Sequence, residues 1–171
     1  MIEIKHNETQ EVLLRIDEEV LDGYHLDNAK LAGADLSNMQ FPGATFRNAD
    51  LRDANFENSN LEGAVLKSAD LTRCNFKNAN LQYADLTDSY LDNAILTEAD
   101  CSHAILRYTK LTDAECTGTL FLRADMSLIN LTGSNCNDAN LAHADLRGAN
   151  MSTSNFNGAN LTGANLLDAK M

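Results

Sequence analysis

Four histidines (His6, His25, His103 and His143) and four cysteines (Cys74, Cys101, Cys116 and Cys136) are the side chains best suited to proton transfer, nucleophilic attack or metal binding. Their spacing supports none of these chemistries. No close CxxC pairing occurs, and a zinc site or a redox pair would show one. No glycine-rich phosphate loop and no nucleophile-elbow sequence is present. The sequons at Asn7, Asn130, Asn150 and Asn160 are mostly by-products of an Asn-Leu-Thr repeat and carry little weight. The inventory points away from an enzyme and calls for no cofactor or metal, so the question passes to the backbone that positions these residues.

At 171 residues the chain is long enough for one domain with a sizeable core. Its apolar runs reach three residues, as in Val12 to Leu14, far short of the roughly 20 a membrane helix requires. The start, MIEIKHNETQEVLLRIDEEV, is acidic and lacks the basic and apolar regions of a secretory signal, so a cytoplasmic protein is expected. Net charge is −12, which disfavours direct binding to nucleic acid or anionic lipid. Half of that charge lies in residues 1–27, where eight acids face only Lys5 and Arg15.

From Leu26 to Met171 every fifth residue is apolar: 18 Leu, six Phe, three Met and three Cys in 30 repeats without a slip of phase. Two residues before each, 20 of the 30 are Ala, and the residue between is Asp or Asn in 18. Five residues advance a helix by about 140° and would scatter the leucines around it. In a continuous strand an odd step sends them to alternate faces. The small and large positions, two apart, point to one side of a short extended segment, so the other three residues must contain a bend. Gly or Asn at the second position after the large residue (Gly33, Asn38, Gly43, Asn48) supplies turn-compatible backbone. A chain that turns inward at such regular intervals coils into a solenoid of stacked parallel strands, with an interior too narrow for anything beyond Ala-sized residues at the small position.

The pattern resembles the pentapeptide repeat family, whose A(D/N)LXX unit is spelled out by Ala34-Asp35-Leu36, Ala79-Asn80-Leu81, Ala144-Asp145-Leu146 and Ala159-Asn160-Leu161. The resemblance implies an all-β fold, a right-handed quadrilateral parallel β-helix with four repeats to the coil. Residues 24–171 would then make about seven coils and a rod of roughly 35 Å. Residues 1–23 break the period. Ile2 to Lys5 and Val12 to Ile16 read as a hairpin that caps the first coil, with a short helix over Asp17 to Asp22 as the alternative.

With the family's coil length, outward residues sort into columns. One corner reads Tyr83, His103, Arg123, His143; the adjoining wall carries Leu120 and Leu122, and the next carries Ile105, Tyr108 and Leu128. Consensus lapses here more than elsewhere, and the lapse replaces polar residues with large apolar ones, a mark of contact surfaces. His103 and His143 fall about 10 Å apart, too far to share a metal. Cys116 and Cys136 fall on one wall in adjacent coils, where free thiols filling the core are preferred over a disulfide or metal pair. At the far end Phe156, Leu161, Leu166 and Met171 line a coil with nothing after it, which predicts a homodimer through residues 152–171, with a monomer whose Lys170 and chain end fold over the core as the alternative.

Some members of the family, including quinolone-resistance proteins, are implied to mimic duplex DNA and bind type II topoisomerase. Duplex of about 35 Å carries about 20 negative charges. The repeats here hold 17 acids interleaved with 11 bases, and Arg47, Lys67, Arg107 and Arg147 line one wall. The reading drawn from the sequence is therefore a noncatalytic scaffold or protein-interaction module with an unknown partner, and gyrase mimicry is the alternative.

Overall fold

A computed structural model describes all residues 1–171. From His25 onward each residue that precedes a large apolar one pairs in parallel with the residue 20 positions later, from His25↔Thr45 to Asn150↔Lys170. A bend every five residues and a neighbour every 20 give four walls to the coil. Each wall is only two or three residues long, and in the middle of the rod it is bonded to the coil on either side. On one side of such a wall Asp85, for example, donates its N–H to the Ala64 carbonyl at 2.9 Å, and on the other Leu86 donates to the Ile105 carbonyl at 2.8 Å.

Corners are four-residue turns closed, at all but Met39, by the small residue's N–H on the carbonyl of the preceding large residue, as in Ala84 to Leu81 at 3.1 Å. The third residue of the turn has positive φ throughout, between 53° and 72° from Asn28 to Asp168, and the second does not, which is the type II arrangement. Two side chains per wall are interior. Leu81, Ala84 and Leu86 are fully buried, and one continuous apolar core runs from Ile4 to Met151. Where Ala is replaced by a hydroxyl, the hydroxyl donates to a backbone carbonyl: Ser89 to Leu86 at 2.7 Å, and Thr119 to Leu96 at 2.8 Å. The phenylalanines crowd the early coils, where Phe56 and Phe76 stack at 5.0 Å and Phe41 meets Phe46 edge-on at 5.4 Å.

The central Asp or Asn of each wall has a role beyond turn compatibility. Its side-chain oxygen accepts the backbone N–H two residues on, as Asp85 does from Thr87 at 3.1 Å, satisfying a group that no neighbouring coil reaches.

Strands β1 (Ile2–His6) and β2 (Val12–Ile16) form an antiparallel hairpin, and β1 also pairs antiparallel with β3 (Ala34–Asp35). Ile4 and Ile16 carry the core into the hairpin. The short helix considered for Asp17 to Asp22 does not form. Six residues barely nucleate a helix, and Leu21 is drawn into the core instead. Coil geometry is already present at Leu21, whose carbonyl accepts the Tyr24 N–H.

Candidate functional site

The wall whose large residues are 81, 101, 121 and 141 ends in a corner where Tyr83, His103, Arg123 and His143 succeed one another. Each is bonded to the coil above through its backbone: Tyr83 N–H to Ser102, His103 to Leu122, Arg123 to Ala142, His143 to Thr162. All four sit at positive φ (58°, 61°, 55° and 59°), where a side chain with a Cβ costs roughly 1–2 kcal/mol relative to glycine. Coils on either side put Gly43, Gly63 and Gly163 at this corner.

The side chains form a ladder. The Tyr83 and His103 rings stack at 5.0 Å with 10° between planes, and the His143 ring leans so far over Gly163 that a Cβ there would meet it at 2.5 Å. Arg123 lies between these two groups and is exposed. Six of the seven arginines pair with a carboxylate, and Arg123 is the exception.

On the wall before this corner, Leu120 is exposed and Leu122 half-buried; past it, Ile105 is half-buried, while Tyr108 and Leu128 are exposed at the next corner. Tyr108 and Leu128 also have positive φ, at 59° and 58°. The apolar side chains do not make one unbroken patch. Asp125 stands between the Arg123 and Leu128 corners, paired with Arg107 at 3.5 Å and accepting from Ser127 at 2.7 Å. Burial pushes the Asp85 carboxyl of the same column up, but bonds from Thr87 and Lys67 together hold it below the usual range. The Arg147 guanidinium likewise holds Asp145 down. These carboxylates are already engaged by the protein itself. A shallow depression beside them, lined by Arg107, Leu128, Arg147 and Asp168, is open to solvent.

Outside the predicted face Tyr90 and Ile95 are exposed on the two remaining walls, and Met1, Val20, Leu167 and Met171 nearer the two ends; Lys110 covers the Tyr90 ring at 4.9 Å. The four cysteines are free and buried. Burial pushes the Cys74 and Cys101 thiols up, the Cys136 sulfur together with burial does the same for Cys116, and the hydrogen bond with Cys116 brings Cys136 down; all four sulfurs are enclosed in the core, where no substrate reaches them. No three His, Cys, Asp or Glu side chains converge as metal ligands. No helix is long and apolar enough to cross a membrane.

At the far end Met151 is buried, Phe156, Leu161 and Leu166 are half-buried, and Met171 is exposed. The N–H groups of Phe156, Leu161 and Leu166 make no backbone hydrogen bond, unlike those of Cys136, Leu141 and Leu146 one coil earlier.

A family model described as pentapeptide repeats matches in eight overlapping copies that run without a gap from 21–58 to 134–171. The chain belongs to the pentapeptide repeat family. Its fold is the right-handed quadrilateral β-helix. Among solved structures it is similar to HetL, a pentapeptide repeat protein involved in heterocyst differentiation regulation from the cyanobacterium Nostoc sp. strain PCC 7120, at 27% identity and TM-score 0.52, covering 85% of this chain and 82% of that one. A trypsin-treated form of QnrB1, a plasmid-mediated fluoroquinolone resistance protein, aligns at TM-score 0.58 over 87% of this chain and 86% of its own; at 20% identity it shows the fold alone. No curated protein matches the sequence.

Proposed function

We propose that this pentapeptide repeat protein is a noncatalytic scaffold that binds a protein partner through the face built on Tyr83, His103, Arg123, Leu120, Leu122, Tyr108 and Leu128. One observation carries the reading: large side chains occupy left-handed corner positions in consecutive coils of two adjoining corners, where glycine or asparagine would hold the same backbone with less strain. Strain kept on a surface that contributes nothing to the core is support for a contact site. The half-buried end coil of Phe156, Leu161 and Leu166 is a second contact surface, for another copy of the chain.

Duplex mimicry has less support, because seven ion pairs interleave positive and negative charge along the rod. Affinity capture from native extract tests the reading, comparing wild type with a Leu122→Asp, Tyr108→Asp double variant of equal thermal stability. A partner retained by wild type and lost by the variant is expected. A partner set indifferent to the two substitutions overturns it. In a parallel gyrase supercoiling assay no effect is expected, and inhibition at micromolar protein that weakens with salt would favour the mimic instead.

A further inference from the structure

We infer that the Tyr83–His143 corner receives an extended acidic peptide, with an Asp or Glu carboxylate of the partner on Arg123 and apolar neighbours on Leu120 and Leu122; this rests on the reading of that face as a contact surface. The protein carries net charge −12, and cations in such a chain find carboxylates easily. Arg52, Arg73 and Arg147 each do so with two hydrogen bonds or more. Arg123 does not, although acids stand nearby in sequence. The Asp100 carboxylate accepts the Ser102 N–H at 2.9 Å, and Asp125 is taken by Ser127 and Arg107. The guanidinium fork is left open to solvent, and its planar donors match a carboxylate in bidentate fashion.

The surroundings select what bears that carboxylate. Tyr83 to His143 spans three coil steps, about 14 Å, which about four extended residues cover. The stacked Tyr83 and His103 rings below, and Leu120 and Leu122 beside, offer apolar area to the flanking side chains. A single-stranded nucleic acid also stacks on aromatic rings, but it brings a phosphate with every nucleotide and needs a groove of cations to track them. This corner has one arginine, and the cations of the next wall, Lys67, Arg107 and Arg147, are already paired with Asp85, Asp125 and Asp145. One permanent cation at the centre of an apolar margin fits one carboxylate.

Selection of phage-displayed linear peptides on the wild-type protein tests the inference. Enrichment of Asp or Glu flanked by apolar residues is expected, with affinity falling about tenfold to a hundredfold in Arg123→Gln. Arg147→Gln, whose arginine is already paired with Asp145, should leave affinity unchanged. Arg123 is exposed and outside the core, so Arg123→Gln should fold normally, and circular dichroism checks it. Peptides lost on Leu122→Asp but free of acidic residues and indifferent to Arg123→Gln would overturn the acidic partner and leave the contact surface standing. Peptides blind to both substitutions would overturn both readings. A 12-nucleotide single-stranded RNA that binds more tightly than any selected peptide, and loses affinity in Arg123→Gln, would overturn the inference in favour of nucleic acid.

Discussion

One corner of the rod is built twice, in two chemistries. In the early coils it reads Gly23, Gly43, Gly63, with φ of 64°, 66° and 65°; in the following four it reads Tyr83, His103, Arg123, His143, with φ of 58°, 61°, 55° and 59°. The backbone is the same, and each corner N–H reaches the carbonyl of the next coil in both halves, as Gly63 does to Gln82 and Arg123 to Ala142. The difference lies entirely in what projects outward. The interior and the coil-to-coil bonds thus determine the backbone path, and the outward corner is free to carry glycine, which is indifferent to the left-handed region, or a ladder of large side chains held there under strain.

That division between inside and outside is broken most forcefully from within. Ala94 is fully buried, and it stands in a column between Cys74 and Ala114, both also buried. Ala94→Leu should cost roughly 1–3 kcal/mol through overpacking, and Ala94→Arg more, because its charge has no partner in the core. Tyr83→Asn, on the exposed corner, should change stability by no more than about 0.5 kcal/mol. Thermal melts of the three variants decide the matter, and Ala94 variants that melt like wild type would remove the small position from the interior.

How much of this was legible in the residues depends on which feature is asked about. The five-residue period alone places Leu86 and Ala84 inward and puts the bend at Gly33 or Asn38, because no other backbone keeps a small and a large residue on one side at that spacing. The 20-residue column that aligns Tyr83 with His103 needs the coil length, which came from the family resemblance and which the pairing of Asp85 with Ile105 displays directly. What each side chain does within its column was not legible. Asp125 has both Arg107 and Arg123 within reach of its column, and in the fold it is bonded to Arg107. The stacking of His103 on Tyr83 is likewise a rotamer choice among evenly spaced neighbours, and the period says nothing about rotamers. The Asp17 to Asp22 segment failed for a related reason: it has no period, so local propensity was the only guide and the pull of the core on Leu21 was invisible.

The last coil differs from both halves. Gly163 returns the corner to glycine in a coil whose large residues Phe156, Leu161 and Leu166 are half-buried rather than enclosed. Two copies meeting there about a twofold axis would cover both ends and close the assembly. Sedimentation over a concentration series should show a dimer for wild type and a monomer for Leu166→Glu, since the variant places a charge where the two ends meet. A wild type that remains monomeric at high micromolar concentration refutes the end-to-end contact, and the central face would then be the surface left to explain association.

The smallest effect is the one that bears most directly on the two chemistries. If positive φ makes a large side chain costly at this corner, exchanging residues between the two halves must move stability in opposite directions. Gly63→Arg meets no atom within 4 Å of its new Cβ, so the only penalty is the left-handed backbone, about 1 kcal/mol after the lost freedom of glycine in the unfolded chain is counted. Arg123→Asn should gain about 0.5 kcal/mol, because asparagine tolerates that region better and adds none of glycine's unfolded-state entropy. For a chain of 171 residues these correspond to shifts of about 3 °C down and about 1 °C up, within reach of calorimetry on matched samples. Opposite signs would show that the Tyr83–His143 ladder is maintained against its own stability, which is what a surface held for binding requires. A neutral Gly63→Arg, or an Arg123→Asn that destabilises, would mean that the corner accepts large residues freely, and the strain at Tyr83, His103 and Arg123 would no longer distinguish this face from any other.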